Sequence, residues 1–424
     1  MSQSTEAAPS SSSAFLEADI EQARSLIGLD FATSLPEHLT SATHDTLRNF
    51  AESYGDPNPL FGDEEYGDQT RWRSQIAPPL IGVAVNKPLL GDKRTPEQRR
   101  PSFRNIHVFI SGSSWDLYRP VKPGDTLYQF EGYENVEVKE SEFAGTSVII
   151  TRRHVRMNQH AEVVSVARMI AIHAERKSAT DREQSGGKPL EFSTYTSDDI
   201  AAIDVLYDAE TIRGADKRYY EDVQIGDSLG PMAKGPLTTT DIVVFHAGGY
   251  GFTPYKICTG RIAYENRKRI APFYVPNEAG IPDVAQRVHW DNDWARKIGT
   301  ARSYDYGIQR DCWLTHLLTD WMGDDAWLVR YSSQMRKFNY HGDWHLLTGE
   351  IVGKRTENGN HVVDVELRGT NQRGEVTCPA TATIALPTRE GGEVALPEVP
   401  EEIAAQARAM MDRHLELKAA SRKS

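Results

Sequence analysis

The feature that most limits the possible folds of this chain is an internal repeat. Three short segments of its first half return, in the same order, in its second half. The matched pairs are 60–66 with 288–294, 118–125 with 338–343, and 158–163 with 371–376. Offsets taken at Phe61, Gly124 and Asn158 are 228, 218 and 213 residues, so the spacing drifts only slightly along the chain. A repeat of this length predicts two copies of one structural unit.

The pattern within each copy predicts an α+β unit. Helical spacing over 39–54 and 308–321 precedes long runs of alternating apolar residues, 109–174 and 333–386, which are typical of antiparallel strands. A sheet that buries one face against a helix is a stable two-layer arrangement. Two such units protect an exposed edge when they pair their sheets edge to edge.

Changes in composition divide the chain into segments. The first residues are rich in Ser and Ala, which is typical of a disordered tail, and the polar stretch in the middle of the chain indicates a linker. The predicted segments are a disordered tail (1–13), an N-terminal domain (14–175), a linker (176–216), a C-terminal domain (217–388) with an insert (255–280), and a C-terminal helical tail (389–424).

Charge and cysteine usage exclude several classes of protein. The net charge of −12 and the lack of a long basic run argue against a nucleic-acid partner. The three cysteines are far apart and form no CxxC pair, which argues against a zinc site or a disulfide framework. The sequence shows no apolar run that could span a bilayer and no signal-peptide pattern. We therefore expect a cytoplasmic protein without a membrane partner.

The loop at 56–63 has a recognisable motif. It reads Asp-Pro-Asn-Pro-Leu-Phe-Gly-Asp, and it resembles the Asp-x-Asn-Pro-(Ile/Leu)-His loop of MaoC-like, (R)-specific enoyl-CoA hydratases, with Phe61 in place of the His. Residues 77–80 resemble the start of that family's central helix, and 119–125 resemble part of its sheet. The resemblance covers about 40–387, and the N-terminal half is similar to the FAS1-like dehydratase half of the family. It implies a tandem (double) hotdog fold, each unit a long central helix wrapped by an antiparallel sheet.

The resemblance also implies an activity. The family adds water reversibly to a 2-enoyl-CoA thioester and gives a 3-hydroxyacyl-CoA, with no cofactor beyond the coenzyme A of the substrate. The expected partners are therefore an acyl-CoA and a second copy of the chain in a homodimer. Double-hotdog members commonly keep the reacting pair in one half, so Phe61 predicts that the N-terminal half has a supporting role.

Three residues of the second half are the predicted catalytic set. His289 stands at the position of the family's His, and Gly307 opens the helix predicted at 308–321, where free N–H groups would hold the thioester oxygen. Asp283 is the predicted carboxylate partner of His289 if the loop carries one extra residue, and Asp56 from the other half is an alternative. Each of these residues also has a structural alternative. His289 could be a surface histidine, Gly307 could only permit a tight turn, and Asp56 could cap a loop.

A second set of residues is predicted to contact substrate. Arg261 and Arg267, in the insert, suit the phosphates of coenzyme A, although such a basic run is also typical of a solvated helix face. Tyr250 and Tyr306 are predicted hydrogen-bond donors in the acyl pocket, with core packing as the alternative. Asn58, in the motif loop, completes the set with Asp56.

Two other functions fit the same sequence. Because the motif is altered in both halves, a non-catalytic subunit that binds acyl-CoA or supports a catalytic partner is one alternative. A hotdog thioesterase is the other, since the same fold carries both chemistries. The sequence does not name the acyl group.

Overall fold

The computed structural model describes residues 17–99, 103, 107–141, 145–174, 191–251 and 257–422. The predicted disordered tail, residues 176–190 of the predicted linker and the first two residues of the insert lie outside these ranges. The helices are α1 (Glu17–Arg24), α2 (His44–Glu52), α3 (Pro59–Gly62), α4 (Glu64–Gln69), α5 (Ser197–Asp208), α6 (Thr239–Ala247), α7 (Gly260–Arg269), α8 (Asn292–Lys297), α9 (Gly307–Met322) and α10 (Glu401–Ser421).

The strands form one large antiparallel sheet and one small hairpin. The bounds of the strands are β1 (Asp30–Ala32), β2 (His107–Leu117), β3 (Tyr128–Ser141), β4 (Gly145–Met157), β5 (Val163–Ala174), β6 (Ser228–Lys234), β7 (Tyr274–Pro276), β8 (Pro282–Val284), β9 (Trp327–Gln334), β10 (His345–Glu357), β11 (Asn360–Asn371) and β12 (Val376–Leu386). The order in the large sheet is β1-β3-β4-β5-β2-β9-β12-β11-β10-β6, and β7 pairs with β8 alone. The two halves of this order mirror each other, as two copies of one unit joined at β2 and β9 require.

The repeated turn between the last two strands of each half shows the duplication at the level of single atoms. Asn158 accepts hydrogen bonds at Oδ1 from the N–H groups of His160 and Glu162, and its Nδ2 donates to the Glu162 carboxylate. Asn371 makes the same three bonds with Arg373 and Glu375. Matching side-chain and backbone contacts at both positions confirm that the sequence repeat is a structural repeat.

The two halves meet along β2 and β9. A Cβ atom on Gly112 would lie 2.5 Å from the carbonyl oxygen of Ser333, so the close approach of the strands needs glycine there. Asp311 of α9 accepts hydrogen bonds from Ser113 Oγ at 2.8 Å and from Tyr331 Oη at 3.0 Å. These two residues come from opposite sides of the junction, and burial raises the pKa of Asp311 to about 6. The helix is thus tied to both halves of the sheet.

The predicted helix at 308–321 is confirmed as α9, and it is buried on nearly all sides. Trp313, Leu314, Leu317 and Leu318 belong to the main hydrophobic core. Their helical spacing is therefore a packing pattern. Within the described ranges, no helix combines the length and the apolar character needed to cross a bilayer.

The N-terminal half differs from the predicted unit in one respect. Where the second half has α9, it has only a short 3-10 turn, Ile81–Val83. Pro79 and Pro88 bracket a segment too short for a long helix, because proline disfavours helix at its own position and at the preceding one. The Arg156 side chain donates to the Gly82 carbonyl oxygen at 2.7 Å and fills space beside the turn. Two hotdog units are present, but one long helix serves them both.

Two helices lie outside the units. The predicted linker contains α5, which begins with Thr196 as a capping-box residue. The predicted C-terminal helix is present as α10 and packs on the N-terminal half, where Ala407 and Met411 join a core with Phe130. The N–H of Leu90 donates to Nδ1 of the α10 histidine, His414, at 2.9 Å.

Candidate active site

A cavity of about 470 Å³ lies at the N-terminus of α9, beside the junction of the two halves. Four of the residues predicted from the sequence line it: Tyr250, His289, Tyr306 and Gly307. They come from segments far apart in the chain, the loop after α6, the turn before α8 and the start of α9. The fold therefore brings the predicted catalytic histidine and the predicted oxyanion site to one cavity.

His289 is held in a defined orientation. Its Nδ1 lies 2.9 Å from the carbonyl oxygen of Tyr304, and its ring stacks on Tyr306 with 3.8 Å between centroids. A carbonyl oxygen can only accept, so Nδ1 carries the proton and Nε2 presents a lone pair. Burial lowers the pKa of His289 to about 4. At neutral pH the ring is an uncharged imidazole with one free acceptor nitrogen, which is the form that a general base requires.

A hydrogen-bonded group that the sequence did not indicate surrounds the hydroxyl of Tyr306. Its Oη lies 2.8 Å from Nε2 of His246 and accepts a hydrogen bond of 2.6 Å from Nε2 of Gln286. Burial lowers the pKa of His246 to about 4. His246 lies in the last turn of α6, just before the Gly-Gly-Tyr-Gly stretch at 248–251.

Gly307 is the first residue of α9. Tyr306 is the N-cap residue, and among the described residues no side chain caps this end of the helix. The first N–H groups of a helix have no partner within it, and the helix dipole favours negative charge there. Gly307 lines the cavity, so its end of the helix is suited to hold an oxygen that gains negative charge.

A buried ion pair fixes the start of α9. Arg310 Nε lies 2.9 Å from Asp305 Oδ2, with both side chains almost fully buried, and Asn339 Nδ2 donates to the same oxygen at 2.9 Å. Arg310 also donates to the carbonyl oxygen of Lys337 at 2.8 Å. Burial nevertheless raises the pKa of Asp305 to about 6. These contacts set the path of the chain that carries Gly307.

Asp283 is not brought to His289. Its Oδ1 accepts from the N–H of Val284 at 2.7 Å, and its carbonyl oxygen accepts from Arg287 at 3.1 Å. In the described part of the chain no contact joins it to the imidazole, because the β7–β8 hairpin holds it in its own short sheet. The carbonyl oxygen of Tyr304, and not the carboxylate of Asp283, orients the imidazole of His289.

Asp56 and Asn58 also lie away from this cavity. Asp56 is fully buried beside His316 of α9, with 3.5 Å between Oδ1 and Nε2, while Asn58 caps α3 by accepting from the N–H of Leu60. Asn58 and Phe61 line a second cavity of only about 50 Å³. The motif loop of the N-terminal half is therefore packed, with Phe61 buried where the family has a histidine.

The two predicted phosphate contacts are absent from the lining of the main cavity. Arg261 is exposed and pairs with Glu265 at 2.9 Å, and the guanidinium of Arg267 lies over the ring of Tyr264 on the same helix, α7. This is the solvated helix face that the sequence left as the alternative. Two other cations, Arg336 and Lys337, lie at the exposed rim of the cavity instead.

The opposite wall of the cavity is apolar. Phe109, Ile110 and Met169 come from β2 and β5 of the N-terminal half, and Phe338 comes from the second half. An apolar wall facing a polar end, with cations at the rim, suits an elongated ligand that has a hydrophobic part and an anionic part.

Comparison with known proteins gives a family match for part of the N-terminal half. Residues 25–167 match the family described as the FAS1-like dehydratase domain region. Over 131 residues the chain is 28% identical to a UPF0336 protein of Streptomyces avermitilis, a match that covers 30% of this chain and 83% of that protein.

Solved structures extend the likeness to the rest of the chain. A MaoC-like dehydratase superposes with a TM-score of 0.54 and 15% identity, covering 86% of this chain and 99% of the other. A putative MaoC domain protein dehydratase from Chloroflexus aurantiacus gives a TM-score of 0.54 and 13% identity, covering 86% and 96%. The protein is a double-hotdog chain with the fold of the MaoC-like dehydratases. Its N-terminal half carries the FAS1-like dehydratase region, so the family resemblance read from the sequence is confirmed.

Proposed function

We propose that this chain is a hydro-lyase that adds water reversibly to a 2-enoyl-CoA thioester and gives a 3-hydroxyacyl-CoA. The observation that carries the proposal is the pairing, in one cavity, of an uncharged imidazole with a free Nε2 and the uncapped N-terminus of α9. The acyl chain would lie along the apolar wall, and Arg336 and Lys337 at the rim would meet the phosphates of coenzyme A.

The proposed reaction uses His289 in both directions. Nε2 takes a proton from water as the oxygen bonds to the β-carbon, and the electrons of the double bond move to the thioester oxygen. The N–H of Gly307 stabilises that oxygen. The enolate then takes a proton at the α-carbon from the imidazolium, which returns His289 to its starting state. Dehydration is the same path reversed, and no cofactor enters the balance.

The expected setting is the cytoplasm, and the expected assembly is a homodimer. Cys258, Cys312 and Cys378 are all free thiols, which suits a reducing compartment. A panel of 2-enoyl-CoA thioesters of differing acyl chain tests the function: loss of enoyl absorbance with wild-type protein supports a hydratase. If the protein binds CoA but leaves every thioester of the panel unchanged, the supporting-subunit alternative is favoured.

The oxyanion role of Gly307 can be tested without removing a side chain. Proline is accepted at the first position of a helix, and Tyr306 has the extended conformation, φ −81 and ψ 133, that proline requires of its neighbour. Gly307→Pro therefore deletes one N–H and keeps the helix start. We expect kcat to fall by about 10²–10³-fold, the loss found when one oxyanion donor is removed.

Gly307→Ala is the matched control for that variant. A Cβ at this position would lie 3.3 Å from the side chain of Met335, which is flexible enough to move. The alanine variant keeps the N–H and is expected to retain most of the activity. Equal losses in the proline and alanine variants would mean that crowding, and not the missing donor, limits the rate.

The pH dependence of the reaction should reflect the low pKa of His289. Because burial holds this pKa at about 4, the imidazole stays neutral as pH falls from 7 to 5, and kcat/KM is lost only as pH falls through about 4. An ordinary histidine would give an acid limb near about 6.5. The pKa of His246 is also about 4. The pH profile of the His246→Gln variant therefore shows which of the two histidines causes the acid limb. A limb near neutrality in both proteins contradicts the assignment.

A further inference from the structure

A second group of titratable residues lies on the other side of α9 and plays no part in the proposed reaction. We call it the acidic cluster: Asp56, Glu210, His316 and Asp320, with Lys234 beside them. Nε2 of His316 lies 3.1 Å from Asp320 Oδ2, 3.5 Å from Asp56 Oδ1 and 3.5 Å from Glu210 Oε1. Asp320 follows His316 by one helical turn, so both point from the same face of α9.

The cluster brings three carboxyl groups and one ammonium group into a buried space. Three carboxylates face one ammonium, that of Lys234, whose Nζ already contacts the carbonyl oxygen of Gly55 at 3.1 Å and Nδ1 of His316 at 2.8 Å. His316 and Asp320 are 1% and 4% exposed. A buried charge of this kind requires a counter-charge or a proton.

Several ligand atoms of the cluster also lack hydrogen bonds. In the described structure they are Nε2 of His316, both carboxylate oxygens of Asp320 and Oε2 of Glu210. These atoms are buried, so water does not satisfy them from bulk solvent. An unpartnered imidazole nitrogen that faces three carboxylates is the donor set of a cation site rather than of a finished hydrogen-bond network.

The spacing of the donors agrees with metal coordination. In a tetrahedral zinc site with bonds of about 2.1 Å, neighbouring ligand atoms are about 3.4 Å apart. The three separations from Nε2, 3.1, 3.5 and 3.5 Å, cluster around that value. Two of them are longer than ordinary hydrogen bonds between nitrogen and oxygen.

A route to the cluster is present. Glu210 and Asp320 line a cavity of about 540 Å³ that also has Arg213 and Arg218 in its wall. None of its lining residues belongs to the cavity of His289. A cation could therefore reach Asp320 and Glu210 without passing through the proposed active site.

We infer that Asp56, His316 and Asp320, whose ligand atoms all lie within 4.8 Å of one another, bind one divalent transition-metal cation such as Zn²⁺. The site joins the motif loop of the N-terminal half to the central helix, so the metal would hold these two parts of the chain together. Coordination by Nε2 puts the ring proton on Nδ1, facing Lys234. That lysine would then turn away from Nδ1 and keep its contact with the carbonyl oxygen of Gly55.

Metal titration of the full-length chain tests this inference. After dialysis against chelator, Zn²⁺ is titrated by calorimetry and Co²⁺ by its visible absorption, and thermal unfolding is followed with and without Zn²⁺. We expect one equivalent to bind per chain, with a rise in melting temperature. Wild-type protein that shows no saturable binding of either ion overturns the inference.

Two aspartates of neighbouring turns provide matched variants. Asp320→Asn is expected to abolish the bound equivalent and the rise in melting temperature. Asp324→Asn, which alters a buried carboxylate bonded to Tyr66 Oη at 2.6 Å outside the cluster, is expected to keep both. Identical titrations of wild type and Asp320→Asn would place the ion elsewhere and contradict the site. Circular dichroism checks that each variant is folded, and enoyl-CoA hydration is measured separately, because the metal site does not depend on the proposed reaction.

Discussion

Replacement of His289 by Ala is expected to lower kcat/KM for hydration of a 2-enoyl-CoA by about 10²–10⁴-fold, the range that general acid–base catalysis contributes. The imidazole supplies the one nitrogen in the cavity whose lone pair is fixed by an opposing contact, from Nδ1 to the carbonyl oxygen of Tyr304. Alanine at this position leaves no base to take a proton from water and no acid to return a proton to the α-carbon of the enolate. The measurement is steady-state hydration of the best thioester in the panel.

His160→Gln is the control for that variant. His160 is exposed, and its N–H, rather than its ring, makes the contact with Asn158. We expect this protein to hydrate at the wild-type rate. If His289→Ala hydrates within about twofold of wild type while remaining folded, a different residue is the base.

Replacement of Arg310 by Met is expected to lower the free energy of unfolding by about 3–5 kcal/mol, because it leaves the buried carboxylate of Asp305 without its partner. Asp305 is 1% exposed, and its ion pair with Arg310 spans 2.9 Å. The variant should also lose hydration activity, since this pair holds the chain that leads into Gly307. Urea unfolding at pH 7 measures the first effect.

The pH dependence of the stability loss and a double variant test whether the unpaired charge of Asp305 is its cause. Burial already raises the pKa of Asp305 to about 6, and loss of Arg310 raises it further. A raised carboxyl pKa means that the protonated form is favoured in the folded state, so the cost is smallest below about pH 4 and grows as pH rises through the folded pKa. Asp305→Asn combined with Arg310→Met removes the charge and should recover much of the stability. A cost independent of pH, with no recovery in the double variant, would point to lost packing instead.

The architecture was predictable because it depends on patterns that repeat. The pair Asn158 and Asn371 marks the same turn in each half, and the matched segments predicted two units whose sheets join. The helix over 308–321 was readable from its spacing of apolar residues. The missing helix of the N-terminal half was less visible, since Pro78 and Pro79 were read as a helix start although they lie in a loop that leads to a short 3-10 turn.

The site was predictable in part. His289 and Gly307 were predicted because each stands at a position set by the repeat or by the start of a helix, and both line one cavity. Asp283 was inferred by counting along a loop, and the β7–β8 hairpin holds it elsewhere. His246 and Gln286 were missed because they are joined only by the hydroxyl of Tyr306, a contact made in three dimensions.

The acidic cluster was not predicted from the sequence, because it too depends on contacts made in three dimensions. His316 and Asp320 stand one helical turn apart, a spacing that is readable, but most such pairs face solvent or core. Asp56 and Glu210 are far apart in the sequence and meet His316 only in the folded chain. Burial, which turns a polar pair into a candidate site, is likewise set by packing and not by local sequence.

The measurement that tests the account most directly is incubation of the wild-type chain with the thioester panel in ¹⁸O-labelled water, with mass detection of products. The account predicts that at least one enoyl-CoA gains one labelled water and becomes a 3-hydroxyacyl-CoA, and that His289→Ala and Gly307→Pro each suppress the gain. Release of free coenzyme A without hydration, or no gain of water on any thioester, would contradict it.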